Sequence, residues 1–174
     1  EITQCAGVAV GTFYNYYPSK EKLFMEIYLA ENEALKKNCL AALDLDQDPL
    51  AVARQMMELN LEGMQANPIL REWFNKSVFA KLEQLFREEG GIGAVSFLYD
   101  SFLPIVGQWQ AQGKMRSDMD PKMIMALFAA VVNTDIHKEE IGLEYFPQVL
   151  DYLTQFVMDG LTDGPQEIER RISL

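Results

Sequence analysis

Residues 4–24 read Gln4-Cys5-Ala6-Gly7-Val8-Ala9-Val10-Gly11-Thr12-Phe13-Tyr14-Asn15-Tyr16-Tyr17-Pro18-Ser19-Lys20-Glu21-Lys22-Leu23-Phe24. Gly7 can enter the left-handed backbone region, so it permits a sharp turn between two short helices. On the second of these, Val8, Phe13 and Tyr17 share one side and are expected to pack on Ile2 and on Leu23, Phe24 and Ile27 of the helix that follows. The opposite side presents Gly11, Thr12, Tyr14, Asn15 and Tyr16. Its hydroxyls and amide can bond phosphates and base edges, its glycine lets a backbone come close, and no carboxylate repels a polyanion. Such a surface suits the major groove of duplex DNA. Pro18-Ser19 then ends this helix and starts the next, which puts Lys20 in a first turn whose backbone N–H groups can help it hold one phosphate.

The run Ala6-Gly7-Val8-x-x-Gly11-Thr12-Phe13-Tyr14-Asn15-Tyr16-x-Pro18-Ser19-Lys20-Glu21-x-Leu23-Phe24 resembles the signature of the TetR family of bacterial transcriptional regulators. The resemblance implies that the short helix after the turn is a recognition helix, and it assigns DNA contacts to Val10, Gly11, Thr12, Tyr14, Asn15, Tyr16 and Lys20. Two positions depart from the pattern. Ala9 stands where the family usually has a capping Ser, a loss of about 1 kcal/mol. Val10 stands where Lys or Arg is common, which lowers affinity and its salt dependence, although a valine can meet a thymine methyl. The family's first helix and most of its second lie outside these residues. Glu1-Ile2-Thr3-Gln4 reads as the middle of a helix, so residues are expected to precede it, and the stretch as it stands is expected to bind DNA poorly.

Outward from this motif, apolar residues recur three and four apart and no β-type alternation persists, which predicts an all-α chain. Asp48-Pro49, Asn67-Pro68 and Asp120-Pro121 are helix starts, and glycines at 90–91, 113, 142 and 160–164 are stops. Helices are expected near 1–6, 10–16, 19–40, 49–66, 68–89, 93–113, 121–138 and 146–161, with a frayed tail beyond. The fold expectation is a helix-turn-helix part at 1–24, followed by a helical ligand-binding and dimerisation domain at 25–174.

The chain has 174 residues, 49% hydrophobic and 24% charged, with a net charge of −11, which disfavours non-specific coating of nucleic acid. The first 37 residues carry only −1 of this, so the N-terminal end is the part that DNA can approach. Cys5 and Cys39 fit free thiols in a reducing cytoplasm, a thiol switch being the weaker reading. No apolar run is long enough for a membrane span, so no membrane association is expected.

Enzymatic and metal readings find little support. His137 lacks a second ligand at zinc spacing and fits a helix C-terminus. Asp44-x-Asp46-x-Asp48 opens like a calcium loop but meets Pro49 where that loop needs Gly and Gln55 where it needs Glu. Gly90-Gly91-Ile92-Gly93 lacks the Lys-Ser/Thr partner of a phosphate loop. No cofactor and no catalytic residue are assigned.

The C-terminal part carries two further expectations. Gly113 to Pro121 resembles the connection before the family's last two helices, and the Met123–Val132 stretch is apolar all round, which a single chain could scarcely bury. Leu127, Val131, Phe146, Leu150, Leu153 and Val157 are therefore expected in a two-fold homodimer interface, with Val149 and Phe156 beside them. A small-molecule pocket is expected among Met57, Asn60, Met64, Trp73, Ser77, Tyr99, Trp109, Phe128 and Asn133, where adaptable apolar groups alternate with a few polar ones. Asn60 and Asn133 weigh most there, because each interrupts an apolar stripe. The resulting reading is a ligand-responsive repressor on double-stranded operator DNA. The alternative is a helical binding protein whose DNA motif is vestigial.

Overall fold

Asp48, Asn67 and Asp120 act at the backbone as their place before a proline predicts. Leu50 N–H donates to Asp48 Oδ1 at 2.9 Å, Ile69 N–H to Asn67 Oδ1 at 2.8 Å and Lys122 N–H to Asp120 Oδ1 at 2.7 Å. Each bond satisfies a donor that a first helical turn leaves without an intrahelical partner. The structure, a computed structural model, describes residues 1–75, 77–90, 96–134, 141–142 and 144–162. His137, Gly91 to Gly93, the far end of the helix expected to reach 138 and the tail from 163 lie outside the described residues.

Among the described residues the chain is helical, with no strand. The elements are α1 (Ile2–Cys5), α2 (Val10–Tyr16), α3 (Lys20–Ala42), α4 (Pro49–Ala66), a 3₁₀ turn (Leu70–Phe74), α5 (Phe79–Glu88), α6 (Ser96–Ala111), α7 (Pro121–Asn133) and α8 (Phe146–Thr162). Two boundaries differ from expectation. The single helix expected over 68–89 is broken at Asn75, whose Oδ1 accepts from Ser77 N–H (3.1 Å) and whose carbonyl accepts from Phe79 N–H (2.9 Å), while its amide donates to Glu72 (2.8 Å). A short amide side chain offers the backbone an alternative to helix at that point. Gly160, expected among stops, lies inside α8.

The chain forms two compact units, residues 1–38 with 61–95 and residues 39–60 with 96–174. The first is built on an aromatic core: Tyr28 stacks on Trp73 at 5.8 Å, and Phe79 and Phe86 meet the same indole edge-on at 5.1 and 5.6 Å. Met25, Met64, Leu70 and Leu82 complete it. The second unit buries Val52, Val106, Trp109, Met115, Ile124, Met125, Met158 and Leu161, with α7 packed against both α6 and α8.

The loop between α6 and α7 is held by polar bonds. Gly113, at φ +72°, closes α6 in a conformation that other residues resist. Arg116 N–H then donates to Leu161 O (2.7 Å), and its guanidinium reaches Gly160 O (3.2 Å) and both oxygens of Asp118 (2.7 and 2.6 Å). That hydrogen bonding, opposed by some desolvation and aided by charge, holds the Asp118 carboxyl below its ordinary range. Lys114 Nζ donates to Asp46 O at 2.9 Å, so the acidic 44–48 loop is organised by backbone bonds.

Candidate nucleic-acid interface

Gly7 sits at φ +66°, the left-handed geometry that lets α1 turn into α2 within four residues. Ala9 supplies no side-chain cap to α2, as its methyl dictates. At the far end, Ser19 Oγ accepts from Lys22 N–H at 3.2 Å and starts α3. Cap and turn together display α2 on the surface. Tyr16 is 78% and Val10 60% exposed, and Gly11, Thr12, Tyr14, Asn15 and Lys20 are exposed as well. All seven residues assigned to DNA contact therefore fall on one short helix and the first residue of the next.

The apolar backing of this motif is thinner than expected. Phe13 and Tyr17 are half-buried, with ring centroids 5.8 Å apart. Ile2, Val8 and Ile27 are exposed, however, and neither α1 nor α2 buries a residue. Helices of 4 and 7 residues offer too little area to close a core of their own, and Phe24 turns instead toward Tyr28 in the aromatic cluster.

The acidic groups next to the motif are engaged. Tyr17 Oη–H donates to Glu26 Oε1 at 3.2 Å, and the carboxylate's charge raises the Tyr17 phenol above its ordinary value, with desolvation and the hydrogen bond adding to it. Glu21 lies below the usual carboxylate range, first through a backbone N–H bond of its own and then through Lys81 Nζ at 3.2 Å. Lys22 pairs with Glu89. The surface around α2 therefore presents hydroxyls, an amide and Lys20, with the nearby carboxylates bonded away. Such groups are able to bond phosphates and base edges.

A profile of bacterial regulatory proteins of the tetR family matches residues 1–27. The N-terminal segment is similar to the DNA-binding part of the TetR family. Members are DNA-binding transcriptional regulators, and the matched segment contains α1, α2, the Ser19 cap and the start of α3. No curated protein matches the chain.

Elsewhere in the chain the assigned residues are more scattered. Of those expected to line a pocket, Met64 and Trp73 belong to the aromatic core of the first unit. Trp109 is core of the second, with Phe128 packed against it. Met57 and Asn60 are half-buried, whereas Ser77, Tyr99 and Asn133 are exposed, so water reaches the Asn133 amide. Residues expected at a dimer interface, Leu127, Val131, Phe146, Leu150, Leu153 and Val157, are half-buried on α7 and α8. Leu127 and Val157 pack inward on the second core.

The most exposed apolar groups of α7 and α8 lie beside them, and of these sequence reasoning passed over Tyr152. Val132 is 65% and Phe156 66% exposed, Met123 is exposed, and Tyr152 stacks on Phe156 at 6.0 Å. The 149, 152, 153, 156 spacing was the available signal, because it marks a stripe one helical position outside the inward face. Among the described residues no helix is long and apolar enough to cross a membrane, and no group of three or more His, Cys, Asp or Glu is placed to hold a metal ion.

Proposed function

We propose that this protein is a ligand-responsive repressor that binds a palindromic operator as a homodimer, inserting α2 into the major groove. The observation that carries the reading is the exposed, carboxylate-free face of Thr12, Tyr14, Asn15 and Tyr16 with Lys20 beside it. Tyr14, Asn15 and Thr12 meet base edges and phosphates. Lys20 binds a phosphate at the start of α3, where the backbone donors add to it.

The partner is a second copy of the chain, seated on Val132 and Met123 of α7 and on Val149, Tyr152 and Phe156 of α8. Ala126, Ala129 and Ala130 are also exposed on α7, so the outer side of that helix is apolar and of low relief. The reading requires a two-fold dimer, whose recognition helices enter successive major grooves about 34 Å apart. Residues 1–24 are the reading head of this arrangement and 25–174 its regulatory body. α3 is continuous from Lys20 to Ala42, and a tilt of this helix on effector binding moves the reading heads out of register. A coupling of about 1 to 3 kcal/mol changes operator affinity by about 5- to 150-fold.

The test is operator binding by Tyr14→Ala with Lys20→Ala in the protein as its host makes it. Binding is expected to weaken by at least about tenfold, with dimerisation intact. Unchanged binding overturns the reading and favours a helical binding protein with a vestigial motif.

A further inference from the structure

The DNA-facing elements have little hold on the rest of the chain through their own side chains, since α1 and α2 bury none of their residues. Their orientation is inherited from α3. Two ion pairs join the first turn of α3 to α5 and to the residue that caps its C-terminus, over sequence separations that make them tertiary contacts: Glu21 with Lys81, and Lys22 with Glu89. Glu21 and Lys22 are adjacent and about 100° apart around α3, whereas Lys81 and Glu89 are separated by eight residues, about 12 Å along a helix. The two pairs are opposite in polarity. Reversing α5 against α3 would therefore bring Glu89 to Glu21 and Lys81 to Lys22, so the pattern specifies one crossing direction.

α5 is itself anchored. Phe79 and Leu82 are buried, and Leu85 and Phe86 pack on the Tyr28–Trp73 cluster. An open cleft of about 440 Å³ is lined by Tyr16, Tyr17 and Pro18 together with Lys22, Glu26, Leu29 and Glu89, so the Lys22–Glu89 pair lies beside the end of α2.

We propose that α5 is a strut that sets the orientation of the recognition helix, with Glu21, Lys22, Lys81 and Glu89 as its positioning residues. The inference rests on the reading of α2 as the DNA-contacting helix. Exposed pairs of this kind are each worth about a two- to fivefold bias, which is the scale on which a poised operator affinity is tuned. Lys22 thus serves DNA binding through Glu89 and not by contacting phosphate.

A charge-swap cycle in the full-length protein tests this. Amide hydrogen exchange over residues 10–24 of the free protein is expected to rise by about twofold or more in Glu89→Lys and in Lys22→Glu. In the double swap, which restores the pair with its polarity reversed, it should return to the wild-type rate. Operator affinity is expected to fall by a similar factor in Glu89→Lys, although that change adds a cation beside DNA, and to recover in the double swap. Should Glu89→Lys lower the melting temperature, Glu89→Gln replaces it in the comparison.

Exchange that ignores both single changes, or that stays raised in the double swap, overturns the strut. Recovery of exchange without recovery of operator affinity overturns it too, because Lys22 is then a phosphate contact. A wild-type protein that binds no operator refutes the DNA reading separately, while the exchange cycle still decides whether α5 holds α2.

Discussion

At the scale of single residues, a cap or a turn depends on atoms two or three positions away, so it can be read from a string of letters. Ser19, Asp48 and Asp120 start helices as their chemistry demands, and Gly7 and Gly113 take left-handed φ values. Asn75 was missed because an asparagine inside a helical pattern is tolerated until its amide finds a backbone group. Ser19→Ala should cost about 1 kcal/mol, read as a lower melting temperature, and should weaken operator binding because Lys20 follows the cap directly. Asp118 gives a pH signature. Its carboxyl lies below its ordinary range, so its contribution to stability is present above the unfolded-state value, about pH 4, and is lost as pH falls through the lower folded-state value. Asp118→Asn should therefore destabilise the protein at neutral pH in thermal melts, and the gap to wild type should close on acidification below about pH 4.

At the scale of elements, helix existence was legible from apolar spacing, but partners were not. The Glu21–Lys81 and Lys22–Glu89 pairs cross separations that no local pattern encodes. The approach of α3 to α4 is a similar case. A Cβ on Gly63 would collide with Leu35 Cδ1 and lie 3.1 Å from Cδ2, so the two helices meet where one lacks a side chain. Leu35 is half-buried against the aromatic core, so the end of its side chain must swing aside to admit a methyl. Gly63→Ala is expected to destabilise by about 1 kcal/mol despite alanine's better helix propensity. In a Leu35→Ala background the same change should be neutral or stabilising, and a denaturation cycle across the four proteins measures the difference.

At the scale of the whole molecule, the all-helical class followed from apolar spacing along the chain, and the resemblance to the TetR family from about twenty N-terminal residues. The division into two compact units did not, because α3 and α4 each contribute residues to both and no composition change marks the boundary. The outer face of α7 and α8 was half legible: the apolar run at 123–132 pointed to a partner, while Tyr152 was passed over. Replacing Tyr152 and Phe156 together by Glu should convert a dimer to a monomer in sedimentation, without unfolding the second core, since both side chains are exposed. Operator affinity should then drop to that of a single half-site.

The most direct measurement is selection of bound sequences from random duplex DNA by the protein as its host makes it, alongside a Tyr14→Ala, Asn15→Ala variant. The account predicts an enriched site with two-fold symmetry, half-site centres about 34 Å apart, and loss of base preference in both half-sites when Tyr14 and Asn15 are replaced. No enrichment, an asymmetric site, or a preference that survives the replacement would contradict it.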